Sequence, residues 1–188
     1  MSTYIIQDET ELSAVADADE LLIYDNDAGV TKKVGADTLR TFVSGSLTDA
    51  TTATLTVTAA SHAGKIITLN RAAGVTVTLP AATGTGNVYR FAVATTVTSN
   101  NDIIQVANAT DEFVGGILST DTDTTDTLAS YPALDGDGYD TITMNGSTKG
   151  GIQGDMITIV DIDAGKFLLN GNINCTGTQA SPLSAAVS

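Results

Sequence analysis

The sequence contains no Trp, one Cys, one His and three Pro in 188 residues, and only nine aromatic side chains, five Tyr and four Phe. A single thiol, Cys175, excludes an intrachain disulfide and any cysteine-based metal centre. Cations are equally scarce: eight Lys and Arg stand against 22 Asp and Glu, a net charge of −14. Gripping a nucleic-acid backbone requires clustered Lys and Arg, so nucleic acid is excluded as a partner on charge. An anionic membrane surface is disfavoured for the same reason. No long hydrophobic run occurs: uncharged stretches such as 72–89 are broken by Thr, Gly and Pro80, so no transmembrane helix is expected. Residues 1–20 lack a basic n-region and an apolar h-region, and no signal peptide is expected.

What is present points to sheets. Thr fills 31 positions. Thr and Val are stiff at χ1 and fit a pleated, half-buried surface. Apolar residues recur at every second position in Ala53–Thr58 and in Val75–Leu79, where Pro80 ends the run. A period of two gives one wet face and one buried face. Further strands are expected at Lys65–Leu69, Val88–Val93, Ile103–Val106, Phe113–Leu118, Thr141–Met144, Asp155–Val160 and Lys166–Leu169. Turn residues separate them, among them Gly115-Gly116, Asn145-Gly146 and Gly150-Gly151. Many short strands at this spacing predict a mainly β fold, an antiparallel β-sandwich or barrel of jelly-roll type.

The first 45 residues read as a separate strand–hairpin–helix unit. Tyr4-Ile5-Ile6 is a short strand, and Leu12 and Val15 share one helical turn. Leu21–Tyr24 and Val30–Val34 form a hairpin around Asp25-Asn26-Asp27-Ala28-Gly29. Asp37 caps a short helix carrying Leu39, Phe42 and Val43. The β-domain is expected over 46–176, followed by an extended C-terminal arm or tail over 177–188.

No catalytic constellation emerges. Ser61 and His62 are adjacent and so would point to opposite faces of a strand; His62 reads as a loop histidine between strands. Cys175 reads as a small half-buried residue. Gly84-Thr85-Gly86 and 145–151 lack the spacing of dinucleotide or phosphate loops. The acidic turns 25–29 and 135–140 resemble fragments of calcium loops, but neither is complete; 121–126 is a third acidic run, and solvated turns account for all three on so acidic a chain. No cofactor or metal is expected. A polysaccharide depolymerase is disfavoured because nucleophile, base and orienting group are nowhere assembled.

Residues 4–43, with an Ala-Asp run, a strand ending Tyr24-Asp25, a Gly turn, Thr31-Lys32-Lys33-Val34 and a short helix, resemble a segment near the N-terminus of virion structural proteins of tailed bacteriophages. The stretches 64–80, 87–91, 111–118, 140–146 and 154–165 are similar to phage head-decoration and tail-fibre β-domains. The resemblance implies a head decoration (cement) protein: non-enzymatic, homotrimeric, made in the host cytoplasm and bound to the major capsid protein on the outer surface of the virion head, where it stabilises the shell. The other position it implies is a tail fibre or tail-associated receptor-binding adaptor; the absence of a long repeat, heptads or a Gly-X-Y shaft counts against a fibre. Docking to capsid is expected from Tyr24, Lys32, Lys33, Arg40 and Phe42, because three of the eight cations fall within nine positions there. A basic patch suits an acidic shell. Pairing of those cations with Asp17, Asp19 and Glu20 inside the same unit is the competing arrangement.

Overall fold

The computed structural model describes residues 16, 18–36, 38–39, 47–123 and 127–187. The strand at Tyr4–Ile6, the turn at Leu12 and Val15, the Asp37 cap and the helix residues Arg40, Phe42 and Val43 lie outside the described residues. The chain divides into two compact units, 1–46 and 47–188.

In the first unit, β1 (Glu20–Asp25) and β2 (Val30–Gly35) form a two-stranded antiparallel sheet in the register Leu21↔Val34 to Asp25↔Val30. The turn forms because Asp25 Oδ1 accepts from the Asp27 and Ala28 amides at 3.1 and 3.0 Å. Gly29 closes it at φ +65°, a conformation that β-carbon-bearing residues avoid.

The second unit is a β-sandwich. Its strands are β3 (Leu47–Ala50), β4 (Thr54–Thr56), β5 (Ile66–Leu69), β6 (Thr76–Thr78), β7 (Val88–Val93), β8 (Asp102–Gln105), β9 (Glu112–Asp121), β10 (Leu128–Ala133), β11 (Thr141–Met144), β12 (Met156–Asp163), β13 (Lys166–Cys175) and β14 (Leu183–Ser184). The order is β10-β9-β13-β12-β7-β5-β3 in one sheet and β14-β11-β8-β6-β4 in the other. Buried residues of both sheets belong to one apolar cluster.

The pairing is mixed rather than uniformly antiparallel. From β3 to β8 the chain alternates between the sheets, and each strand lies parallel to the strand one winding earlier: β3 beside β5 beside β7, and β4 beside β6 beside β8. Parallel neighbours need a long crossover connection, usually a helix. Here the crossover is a strand of the facing sheet, so parallel neighbours form without a long helical connection; the helix between β4 and β5, Ala59–His62, is a single turn. The second half, from β9 on, is mostly antiparallel, with β13 parallel to β9.

The alternation in the sequence maps onto this core. Tyr89, Phe91 and Val93 of β7, Ile157 and Ile159 of β12, and Phe167, Leu169 and Ile173 of β13 point inward. Three of the four Phe are fully buried, and Phe113 and Phe167 are register partners with ring centroids 6.3 Å apart.

Three local expectations are corrected. Gly115-Gly116 is not a turn but the interior of β9. A Cβ on Gly115, at φ +129°, would sit 2.1 Å from the Leu169 carbonyl oxygen, so only glycine allows β9 and β13 to approach. His62 is not in a loop. It is the buried end of a one-turn helix, Ala59–His62, whose cap residue Thr58 accepts from the Ser61 amide at 3.3 Å. The chain end is not a free arm. Leu183 of β14 pairs with Ile142, and Asp140 accepts from the Ala186 and Val187 amides.

Buried carboxylates hold the loops. Asp161, inward-facing on β12, accepts from the amides of Thr83, Gly84 and Thr85 at 2.9, 2.7 and 3.2 Å and from the Thr85 hydroxyl at 2.6 Å. Removing it leaves a turn of amides without acceptors, and each charged hydrogen bond is worth about 1.5–3 kcal/mol. Asp161→Ala is therefore expected to destabilise the second unit by about 3 kcal/mol or more in urea unfolding. A loss below about 1 kcal/mol would show that water replaces the carboxylate.

Candidate functional site

The expected docking residues occupy the hairpin. Tyr24 lies on β1, and Lys32 and Lys33 on β2; Arg40 and Phe42 are outside the described residues. Lys32 pairs with Asp25, and Lys33 with Glu20 at 2.7 Å. Each pair is a diagonal contact on one face of the hairpin. Lys32, helped by the Ala28 amide, holds the Asp25 carboxyl below its ordinary value. The two lysines are thus neutralised within their own unit, by Glu20 as anticipated and by the turn residue Asp25. Beside these solvent-exposed pairs the hairpin also shows apolar side chains. Leu22 and Tyr24 are 74% and 66% exposed on one face, and Leu21, Ile23 and Val30 are exposed on the other. A two-stranded sheet alone is marginal in water, so an exposed apolar hairpin gains from a partner surface.

The described carboxylates at the acidic turns of the second unit are taken up by backbone amides and by Lys166. Asp137 accepts from the Leu134 amide at 2.8 Å. Glu112 accepts from Gly136 and Gly138 at 3.0 and 2.8 Å. Lys166 bridges Glu112 and Asp135. Asp123 accepts from the Gly177 amide at 2.6 Å. Among the described residues no three His, Cys, Asp or Glu side chains form a group that could hold a metal ion.

His62 Nδ1 lies 3.0 Å from the Thr58 amide nitrogen, which ties the ring to its own helix, while Ser61 is exposed. Cys175 is fully buried and receives a hydrogen bond from Ser119 at 3.0 Å. An open cleft of about 520 Å³ adjoins β9 and β10, lined by Asp121, Asp123, Tyr131 and Gln179 among others. The Gln179 amide is occupied by Ser119 and Thr127, which makes it a tether for the chain after β13.

The chain matches no protein-family model, no curated protein and no solved structure.

Sequence reading missed the buried carboxylates: Asp102, Asp111, Glu112, Asp121, Asp140, Asp155 and Asp161. Their acceptor roles join residues as far apart as Thr83 and Asp161, which no local pattern marks. Burial alone would push Asp161 up, but donors from Thr85, Gly84 and Thr83 outweigh it and hold the carboxyl below its ordinary value. Lys166, with the Gly136 and Gly138 amides, brings Glu112 down to about 2. Asp102 is the opposite case. One oxygen accepts from the Val75 amide at 2.8 Å, and the other has no partner. Burial pushes it up from 3.8 to about 6.

The two shifts have opposite signs in stability. Folded Asp102 holds its proton more tightly than the unfolded chain does, so its favourable contribution is complete below about pH 4 and is lost as pH rises through about 6. The Glu112 contribution is present above about 4.5 and is lost as pH falls through about 2. Asp102→Asn is expected to remove a fall in stability of roughly 2–3 kcal/mol between pH 4 and pH 7, read as the difference from wild type in urea unfolding. Parallel pH profiles for the two proteins would rule out a buried, ionisation-sensitive Asp102.

Proposed function

We propose that this chain is a non-enzymatic virion structural protein of a tailed bacteriophage, a decoration (cement) protein that binds the outer surface of the head through its N-terminal hairpin. The observation that carries the reading is the hairpin itself: a unit distinct from the sandwich, with both of its lysines paired internally and Leu22, Ile23, Tyr24 and Val30 displayed to solvent. Such a surface suits docking onto an apolar recess of another protein. The resemblance of residues 4–43 to virion proteins indicates which kind of protein that is.

The acidity fits the outside of a head, since the inside is filled with a polyanion. Stabilisation would follow from mass action: a ligand that binds only the assembled shell shifts the equilibrium toward it. The internal pairing of Lys32 and Lys33 changes the expected chemistry of docking from charge attraction to apolar burial, with Leu22 and Tyr24 as the anchors.

Two measurements test this. Quantitative mass spectrometry of purified virions is expected to give a copy number near that of the major capsid protein, or a simple fraction of it. A ratio lower by more than an order of magnitude would move the protein to the tail. In binding to empty capsids, Leu22→Ser with Tyr24→Ser is expected to weaken affinity at least tenfold, a loss of about 1.4 kcal/mol. Lys32→Ala with Lys33→Ala is expected to change it little at high salt. Unchanged affinity in the serine pair would remove the hairpin from the interface.

A further inference from the structure

Asp102 opens β8 on the inward side of the strand and is fully buried. Its Oδ1 accepts from the Val75 amide at 2.8 Å, and its Oδ2 is the one buried side-chain oxygen or nitrogen among the described residues that has no hydrogen-bond partner. A carboxylic acid tolerates that place, because it brings no net charge into the interior. A carboxylate does not, because it has lost water and gained a single donor. The two protonation states of Asp102 therefore demand different surroundings.

Those surroundings are a crossing of two segments, 71–75 and 98–102, at the surface. Ala72, Thr98, Ser99 and Asn100 are exposed. The Ala72 carbonyl accepts from the Thr98 and Ser99 amides at 2.8 and 3.3 Å, and the Ala73 carbonyl from the Asn100 side-chain amide at 3.1 Å. These bonds join the segments to each other and not to β7, β12 or β13, so the segments can part while the core ladders stay intact. Asn100, at φ +57°, is the one described non-glycine residue in the left-handed region, and parting the segments frees it to relax.

The charges around the crossing are few. β6 and β11, which flank β8, carry no ionisable side chain, and neither does 94–101. Arg71 is bonded to the Gly74 carbonyl at 2.6 Å. Beyond Met144, the register partner of Asp102, the chain brings Lys149 and then Asp155, whose oxygens are taken by Gly151, Ile152 and Asn174. The facing sheet turns Tyr89, Asp121, Asp161 and Cys175 inward. None of these groups moves the Asp102 carboxyl: burial, opposed by the Val75 amide alone, sets it at about 6.

We propose that this crossing is a proton-operated latch, shut over a neutral Asp102 and lifted to admit water when the carboxyl ionises. Closed, it holds the proton up to about pH 6; open and wet, the carboxyl returns to its ordinary 3.8. Opening therefore becomes easier as pH rises from about 4 to about 6 and levels off above. The latch belongs to the chain itself and does not depend on the virion reading.

Hydrogen exchange of the full chain at pH 5 and pH 8, corrected for the intrinsic pH dependence of exchange, reads the latch. Peptides covering 71–76 and 98–103 are expected to lose protection roughly tenfold between the two pH values. Their exchange at pH 8 is expected to be insensitive to dilute urea, because a local opening exposes little surface, whereas exchange of β12 and β13 accelerates with urea. Asp102→Asn keeps the shape and cannot ionise; its protection in the two segments is expected to be equal at both pH values. An NMR titration of the wild-type Asp102 carboxyl, which needs no variant, is expected to show a midpoint of about 6. Protection in the two segments that is independent of pH in wild type, or that falls equally in Asp102→Asn, would overturn the proposal. So would exchange there that rises with urea as steeply as in β12 and β13, or a carboxyl that titrates at its ordinary 3.8.

Discussion

Backbone amides held by buried carboxylates are the constraint around which the second unit is built. The chain has no disulfide and a core with few aromatics, yet it carries long connections between short strands. Asp161 gathers the 83–85 turn, Asp111 takes the Ala82 amide at 2.9 Å, Asp155 takes Gly151, Ile152 and Asn174, and Asp140 takes the chain end. An amide left bare in the interior costs about 1–3 kcal/mol, so each carboxylate fixes one path for its loop and penalises the alternatives. The burial of Asp155 works against this, pushing its carboxyl above the ordinary value despite four donors. The donors do not erase the desolvation; they make an otherwise costly position tolerable.

That device suits the winding of the first half. Strands β3 to β8 step from one sheet to the other and back, so every turn between them crosses the edge of the sandwich. A turn there cannot be satisfied by ladder hydrogen bonds and needs a side-chain acceptor or water. Asp102 and Asp161 sit on strands and reach turns that precede or follow other strands. Gly74 shows how tight the crossings are: a Cβ at its φ of +79° would lie 2.2 Å from the Asn101 carbonyl oxygen. The carboxylate of the very next residue, Asp102, then receives the amide of Val75, so close approach and side-chain tether act on the same crossing.

The strands were legible where alternation ran between strong turn residues. Val88–Val93 and Thr141–Met144 end where the sequence pattern ends, and the mainly β sandwich follows from many such segments. Three strands were not legible. β3 offers only Leu-Thr-Asp-Ala, β10 contains Pro132, and β14 is two residues long. All three lie at sheet edges, where pairing on one side relaxes the demand for β-formers and Pro is tolerated. The mixed pairing was invisible for a different reason. A period of two reports which face a side chain takes, and says nothing about which strand lies alongside or in which direction it runs. The hairpin of the candidate site was legible from Gly29 and its flanking strands. The fate of its lysines was not, because Asp25 reads as a turn residue, and its second role appears only when the register brings it diagonal to Lys32.

Charge and apolar surface are partitioned by the same mechanism in both units. On the hairpin, carboxylates face lysines across the strands and leave Leu22 and Tyr24 standing clear. On the sandwich, Asp161 and Asp155 turn inward to bind amides, while Asp49 of β3 stays exposed and accepts from the Thr68 hydroxyl and the Asn70 amide. An acidic chain disperses its copies and its contacts with other acidic surfaces, and such repulsion is overcome only where charge is locally absent or cancelled. Using carboxylates as internal acceptors therefore has two effects at once: it fixes the loops, and it removes those charges from the surface. Stability of the fold and availability of contact surfaces are, in this chain, consequences of one placement of Asp and Glu.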